Sequence, residues 1–171
     1  MNTIPLHVAA STLVLGAILA VAPRPAHADY KTSSGGACQP FGSTTTTDDL
    51  RYLVNGVTPR NDTDEVVLCN LVADSEYTWY SATTDADVSL FFKAGSMDAP
   101  VSCTATTGSS YMYGSLSYTK SMTIPATLTG TLNITGMLAP GSYSWAPFSV
   151  TCQLPARAVL ARIVLKESAA T

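Results

Sequence analysis

Tyr143-Ser144-Trp145-Ala146-Pro147-Phe148-Ser149-Val150-Thr151-Cys152-Gln153-Leu154-Pro155 is the stretch from which the fold is read. Its second half places Phe148, Val150, Cys152 and Leu154 on one side of an extended chain and Ser149, Thr151 and Gln153 on the other, the period-2 pattern of a half-buried strand with its cysteine facing inward. Val101-Ser102-Cys103-Thr104-Ala105 carries the same alternation and the same inward cysteine. The two segments are therefore candidate partners, joined by a disulfide inside one β core.

The remaining chain supplies more strands. Glu65–Val72 is apolar on both sides of the pleat and reads as a central strand covered on both faces. Tyr77–Thr84 is rich in β-forming residues, and Val88, Leu90 and Phe92 alternate with Ser89 and Lys93, with Phe91 breaking the polar side. Ser110–Tyr118 follows Gly108. From Ile124 to Leu138 the apolar positions 124, 126, 128, 132, 134 and 138 face Thr127, Thr129, Thr131, Asn133 and Thr135. Ile163 and Leu165 build a last strand over Ala161–Lys166. Turn signals separate these runs, among them Asn55-Gly56 and Pro140-Gly141, while Gly42–Asp49 and Pro59–Asp64 read as exposed loops. Eight or nine strands at this spacing, without helical periodicity, predict an all-β antiparallel sandwich of jelly-roll-like form.

Ahead of the strands, Val8–Ala22 is an apolar run ending near Ala26-His27-Ala28, an A-x-A cleavage pattern. Residues 1–28 read as a cleaved signal helix, too short to span a bilayer, although Met1–His7 lacks Lys and Arg. Residues 29–37 read as a flexible lead-in and 38–168 as one β-sandwich domain. The expected location is the periplasm or the extracellular space, with no membrane partner after cleavage.

The mature chain of 143 residues holds eight basic and twelve acidic side chains, Arg24 having left with the signal. Its formal charge of −4 argues against nucleic acid. Both histidines, His7 and His27, also lie in the signal, which removes Ser-His-Asp and Cys-His catalysis and histidine-bound zinc from consideration. Cys38, Cys69, Cys103 and Cys152 are even in number, form no C-x-x-C pair and read as two disulfides. Three pairings exist. Cys38–Cys69 with Cys103–Cys152 is favoured by the matching strand contexts of the latter two, and the chain-entropy model gives these closures about 3.7 and about 4.1 kcal/mol.

Cys38-Gln39-Pro40, the valine-rich strand ending in Cys69, Val101-Ser102-Cys103, Cys152-Gln153-Leu154-Pro155 and the Ile163-Val164-Leu165 strand together resemble a group of small secreted bacterial proteins of uncharacterised function. The resemblance implies a two-disulfide β domain and supplies no activity.

Candidate sites are few. Ser117–Lys120 spells S-x-x-K, but in β-rich sequence and without its companion motifs. Asp62, Asp64 and Glu65 form an acidic loop of the oxygen chemistry that Ca²⁺ prefers, without the full calcium-loop pattern, so no metal or other cofactor is expected. Asp74 with Glu76, or Asp85 with Asp87, are carboxylate pairs that leave a hydrolase as the remote enzymatic alternative. Trp79, Tyr80, Tyr111, Tyr113, Tyr143 and Trp145 offer flat faces of the kind that stack on sugars. These features favour a non-enzymatic binding module of the cell envelope, taking a glycan or an envelope protein. The alternative is an assembly protein working through exposed strand edges.

Overall fold

The computed structural model describes residues 29–72, 86–109, 114–137 and 148–167. Among them are β1 (Asp29–Ser34), β2 (Gln39–Pro40), β3 (Leu50–Leu53), β4 (Gly56–Pro59), β5 (Glu65–Leu71), β6 (Ala86–Lys93), β7 (Ala99–Ser109), β8 (Gly114–Ile124), β9 (Thr129–Met137), β10 (Phe148–Leu154) and β11 (Val159–Glu167). One sheet, A, runs β3-β4-β11-β6-β9 with β1 also paired to β11; the other, B, runs β2-β5-β10-β7-β8. All pairings are antiparallel, and the two sheets form a β-sandwich.

β10 is the middle strand of sheet B. Val150 lies between Cys69 and Ala105, and Cys152 between Val67 and Cys103, all of them buried. The disulfide Cys103–Cys152 therefore joins directly opposed residues of neighbouring strands, with Cα atoms 4.1 Å apart, the close spacing of a non-hydrogen-bonded pair. Cys38–Cys69 closes beside it, where Cys38 leads into β2 along β5. Facing them across the core are Val88, Leu90 and Phe92 of β6, Leu132 and Ile134 of β9, and Leu160, Ile163 and Leu165 of β11.

Several expectations are corrected. Residues 29–37 are not a structureless lead-in: 29–34 form β1, and Gly35–Ala37 form a 3-10 turn. β1 is polar and draws its order from the ladder with β11, together with an ion pair from Lys31 Nζ to the buried Glu167 at 3.5 Å. β5 is covered on one side only, since Val66 and Leu68 are half-buried and Asn70 is exposed where a third layer would have to lie. The run from Ile124 is two strands. Pro125 has no donor for a ladder, and Pro125–Leu128 forms a turn in which Leu128 N donates to Pro125 O (3.1 Å) and Thr127 takes a φ of 64°. The same turn recurs at Pro155–Ala158, with Arg157 at φ 63° and Ala158 N donating to Pro155 O (3.0 Å). Leu128 is consequently exposed, while Thr129, Thr131, Asn133 and Thr135 face solvent as read from the sequence.

The Gly42–Asp49 loop is also more ordered than its composition indicates. Thr45 is buried; its hydroxyl donates to Glu65 Oε2 (2.8 Å) and accepts from Val66 N (3.1 Å). Glu65, itself buried, takes a second hydrogen bond on Oε1 from the Thr63 hydroxyl (2.8 Å). Nearby, the side chain and backbone of Thr46 both donate to Asp49, which holds that carboxyl below its usual pKa. No helix among the described residues is long and apolar enough to cross a membrane.

Candidate binding face

The outward side of sheet B follows from register. β7 and β8 pair along their whole length, Ser102 opposite Ser121, Thr104 opposite Thr119 and Thr106 opposite Ser117. Because their inward neighbours Val101, Cys103 and Ala105 are buried, these hydroxyl residues all point away from the core. They bond across the strands: Ser121 Oγ donates to Ser102 Oγ at 2.8 Å, the Thr104 and Thr119 hydroxyls share a hydrogen bond of 2.8 Å, and those of Thr106 and Ser117 one of 3.1 Å. β10 adds Ser149, Thr151 and Gln153, with the Thr151 hydroxyl donating to Thr104 O at 3.4 Å. None of the outward residues of β5, β10, β7 and β8 is charged.

Two adjoining depressions mark this face. One of about 440 Å³ is lined by Asp64, Pro100, Val101, Ser102, Ser121, Met122, Thr123 and Gln153. The other, about 230 Å³, is lined by Val66, Ser102, Thr104, Thr151 and Gln153. Ser102 and Gln153 belong to both, so the floor is continuous. Among the described residues Asp64 is the single carboxylate on the rim, positioned by Ala156 N, which donates to its Oδ1 at 3.2 Å. Such a surface offers hydroxyl donors and acceptors, the Gln153 carboxamide and a small apolar patch at Pro100, Met122 being turned inward against the core; among the described residues lining it, no nucleophile is set beside a base.

The residues singled out in the sequence fall elsewhere or apart. Asp62 is held by Arg157, whose Nε and Nη2 reach its two oxygens at 2.8 and 3.2 Å and whose pKa this contact raises. Asp64 turns to Ala156 and Glu65 into the interior, so the acidic loop does not converge on a common point. Among the described residues no group of three or more His, Cys, Asp or Glu could hold a metal ion. Ser117 and Lys120 lie on β8, where a spacing of three puts them on opposite sides of the pleat. Asp87 is bound by Gly136 N (3.0 Å) and approached by Lys166; Asp74, Glu76 and Asp85 lie outside the described residues.

Trp79, Tyr80, Tyr111, Tyr113, Tyr143 and Trp145 also lie outside the described residues. The strand ends flanking their three segments do not. Leu71 and Phe148 are paired, Ser109 pairs Gly114, and Ala86 pairs Met137, so all three segments are rooted at one end of the sandwich, opposite the short turns 94–98, 125–128 and 155–158. The hydroxyl face escaped the sequence reading because alternating Ser and Thr is ordinary for a solvent-facing strand. Only the pairing of β7 with β8 turns two rows into a surface.

No family model matches the chain, and no curated protein matches it in sequence. Similar solved structures include a family 11 carbohydrate-binding module from Clostridium thermocellum in complex with a β-1,3-1,4-mixed-linked tetrasaccharide, at 12% identity and TM-score 0.38, covering 85% of this chain and 88% of that one. The family 11 module of the cellulosomal cellulase Lic26A-Cel5E of the same organism gives 13% identity and TM-score 0.36, covering 83% and 88%. TmCBM61 in complex with β-1,4-galactotriose gives 9% identity and TM-score 0.33, covering 81% and 83%. At TM-scores this low the likeness says nothing of what this chain binds.

Proposed function

We propose that this chain is an exported, non-enzymatic binding module of the cell envelope that takes a neutral glycan on the outer face of sheet B. The observation that carries the reading is the uncharged hydroxyl surface of β10, β7 and β8 with its continuous depression. A neutral polysaccharide presents closely spaced hydroxyls with little charge, and a field of Ser, Thr and Gln can exchange hydrogen bonds with them at small desolvation cost, each contributing about 1 kcal/mol. The aromatic residues Trp79, Tyr80, Tyr111, Tyr113, Tyr143 and Trp145 belong to the same proposal as further ligand contacts, on three connections rooted at one end of the sandwich.

Affinity electrophoresis of the mature chain against a panel of neutral polysaccharides tests the proposal. At least one polysaccharide should retard the protein. Gln153→Ala and Ser121→Arg, both at exposed positions lining the larger depression, should release it without changing the melting temperature. Retardation that survives both substitutions would remove sheet B from the reading.

A second reading, assembly through strand edges, rests on β8. Among the described residues this strand of eleven ends sheet B, and Lys120 is its only charged side chain, so its outer ladder groups form a long template for another strand. Ordered self-association on concentration, measured by sedimentation, would favour it over glycan binding.

A further inference from the structure

The outward side of sheet A has a different chemistry from that of sheet B. Across β11, β6 and β9, one rung is Arg162–Phe91–Thr131 and the next is Val164–Ser89–Asn133, with Lys93 opposite Thr129 on the far side of the first. Arg162 is there because of a register shift between Leu160 and Arg162: Leu160 pairs with the inward Phe92, while Arg162 pairs with the outward Phe91. The extra residue, Ala161, turns Arg162 to solvent, as β-bulges commonly re-aim a side chain. Phe91 breaks the polar alternation of β6 at this rung, and the guanidinium carbon of Arg162 lies 4.1 Å from its ring centroid.

Stacking on the ring limits the rotamers of Arg162 and leaves its planar fork of donors pointing outward. Among the described residues neither Arg162 nor Lys93 has a carboxylate partner. The Ser89 hydroxyl donates to Asn133 Oδ1 at 2.7 Å, which occupies the amide oxygen and leaves the amide NH₂ as a donor to solvent. The guanidinium thus lies on the ring, Thr131 stands opposite Phe91 across the strands, and the Lys93 ammonium and the Asn133 amide belong to the adjoining outward positions of the same face. In a chain of formal charge −4 after signal removal, this donor-rich patch is a local exception.

We propose that the outer face of sheet A, at Arg162, Phe91, Lys93 and Asn133, binds the carboxylates of an acidic polysaccharide. A guanidinium fork matches a carboxylate with two parallel hydrogen bonds, and these charge-assisted bonds are about twice as strong as neutral ones. Along the strands, outward positions repeat about every 6.5–7 Å, so the cations are spaced out among hydroxyls rather than packed together. That arrangement suits a polymer in which carboxylates alternate with neutral hydroxyls better than a peptide of contiguous acids. Nucleic acid would need a longer basic track than Lys93 and Arg162 provide, the next cation, Lys166, being approached by Asp87 at 3.9 Å.

Gels containing polygalacturonate, its methyl ester, polyglutamate or duplex DNA test this with the mature chain. Polygalacturonate should retard the protein and its neutral methyl ester should not, and added salt should weaken the effect. Arg162→Gln and, separately, Lys93→Gln should each raise the apparent Kd for polygalacturonate about tenfold or more, the loss expected for one charged contact. Gln153→Ala on sheet B, which changes no charge, should leave polygalacturonate binding intact, which separates this site from the neutral-glycan face. The proposal is overturned if polygalacturonate gives no retardation, if polyglutamate or DNA retards the protein as strongly, or if a folded Arg162→Gln or Lys93→Gln chain binds like the parent.

Discussion

Replacing Thr45 with valine tests the link between a loop of low-complexity sequence and the core of sheet B. The substitution keeps the branched shape and removes one hydroxyl, which donates to Glu65 Oε2 at 2.8 Å and accepts from Val66 N at 3.1 Å. Glu65 is buried and keeps only the Thr63 bond, so a hydrogen bond to a carboxylate is lost, a contribution of roughly 1.5–3 kcal/mol. Val66 N also loses its acceptor, but it is half-buried and water can replace part of that bond, adding up to about 1 kcal/mol. The expected total is about 1.5–4 kcal/mol, a large share of the roughly 5–15 kcal/mol that holds a domain of this kind folded. Urea denaturation with the disulfides intact should show a lower midpoint at unchanged slope. Thr44→Val, at the exposed neighbouring position, serves as the control and should stay within about 0.5 kcal/mol. A Thr45→Val loss no larger than the control's would refute the reasoning, because the loop would then contribute nothing through that hydroxyl.

Two further outcomes follow from the strand pairing and the turns. Cys103→Ala and Cys152→Ala should each lower stability by up to about 4 kcal/mol, and the double mutant should be little worse than either single, since one bond is lost in all three; additive losses by urea denaturation would show that the two do not act as a pair. Thr127→Gly should raise stability by roughly 0.5–1 kcal/mol. A β-branched residue at φ 64° carries a steric penalty of about 1–2 kcal/mol that glycine relieves, partly offset by the greater freedom of glycine in the unfolded chain, and a lowered melting temperature in calorimetry would contradict this.

What the sequence made legible was determined by burial on alternate residues. Phe148 to Leu154 and Val101 to Ala105 could be read correctly because each inward side chain is apolar and each outward one polar, so the strand and its facing are encoded together. β1 is invisible by the same criterion: Asp29–Ser34 buries no apolar side chain and is a strand only because β11 offers a ladder. At Pro125 the alternation continued through a turn, and the prolines at 125 and 155 were the signal that two strands, not one, meet there. Thr45 could not be distinguished by composition from the threonines around it, because its burial depends on Glu65, twenty residues away. The hydroxyl face depends on which strand lies beside which. Phe91 did stand out as a breach of pattern, but its partner is fixed by a register shift that no local rule anticipates.

The ladder between β1 and β11 pairs Asp29 with Glu167, so the start of the first described strand and the end of the last lie side by side. Tension applied through them meets the first rung alone, then the second, and the strands part like a zipper instead of shearing all their rungs together. Sheet B would be spared at first, because Cys103–Cys152 joins two of its strands and Cys38–Cys69 ties the residue entering β2 to β5, so neither disulfide reaches a strand of sheet A. Pulled between two anchors, the domain would therefore lengthen in two stages. A weak first event would free β1 from β11, and the later extension would be shortened by the residues enclosed between Cys38 and Cys69 and between Cys103 and Cys152.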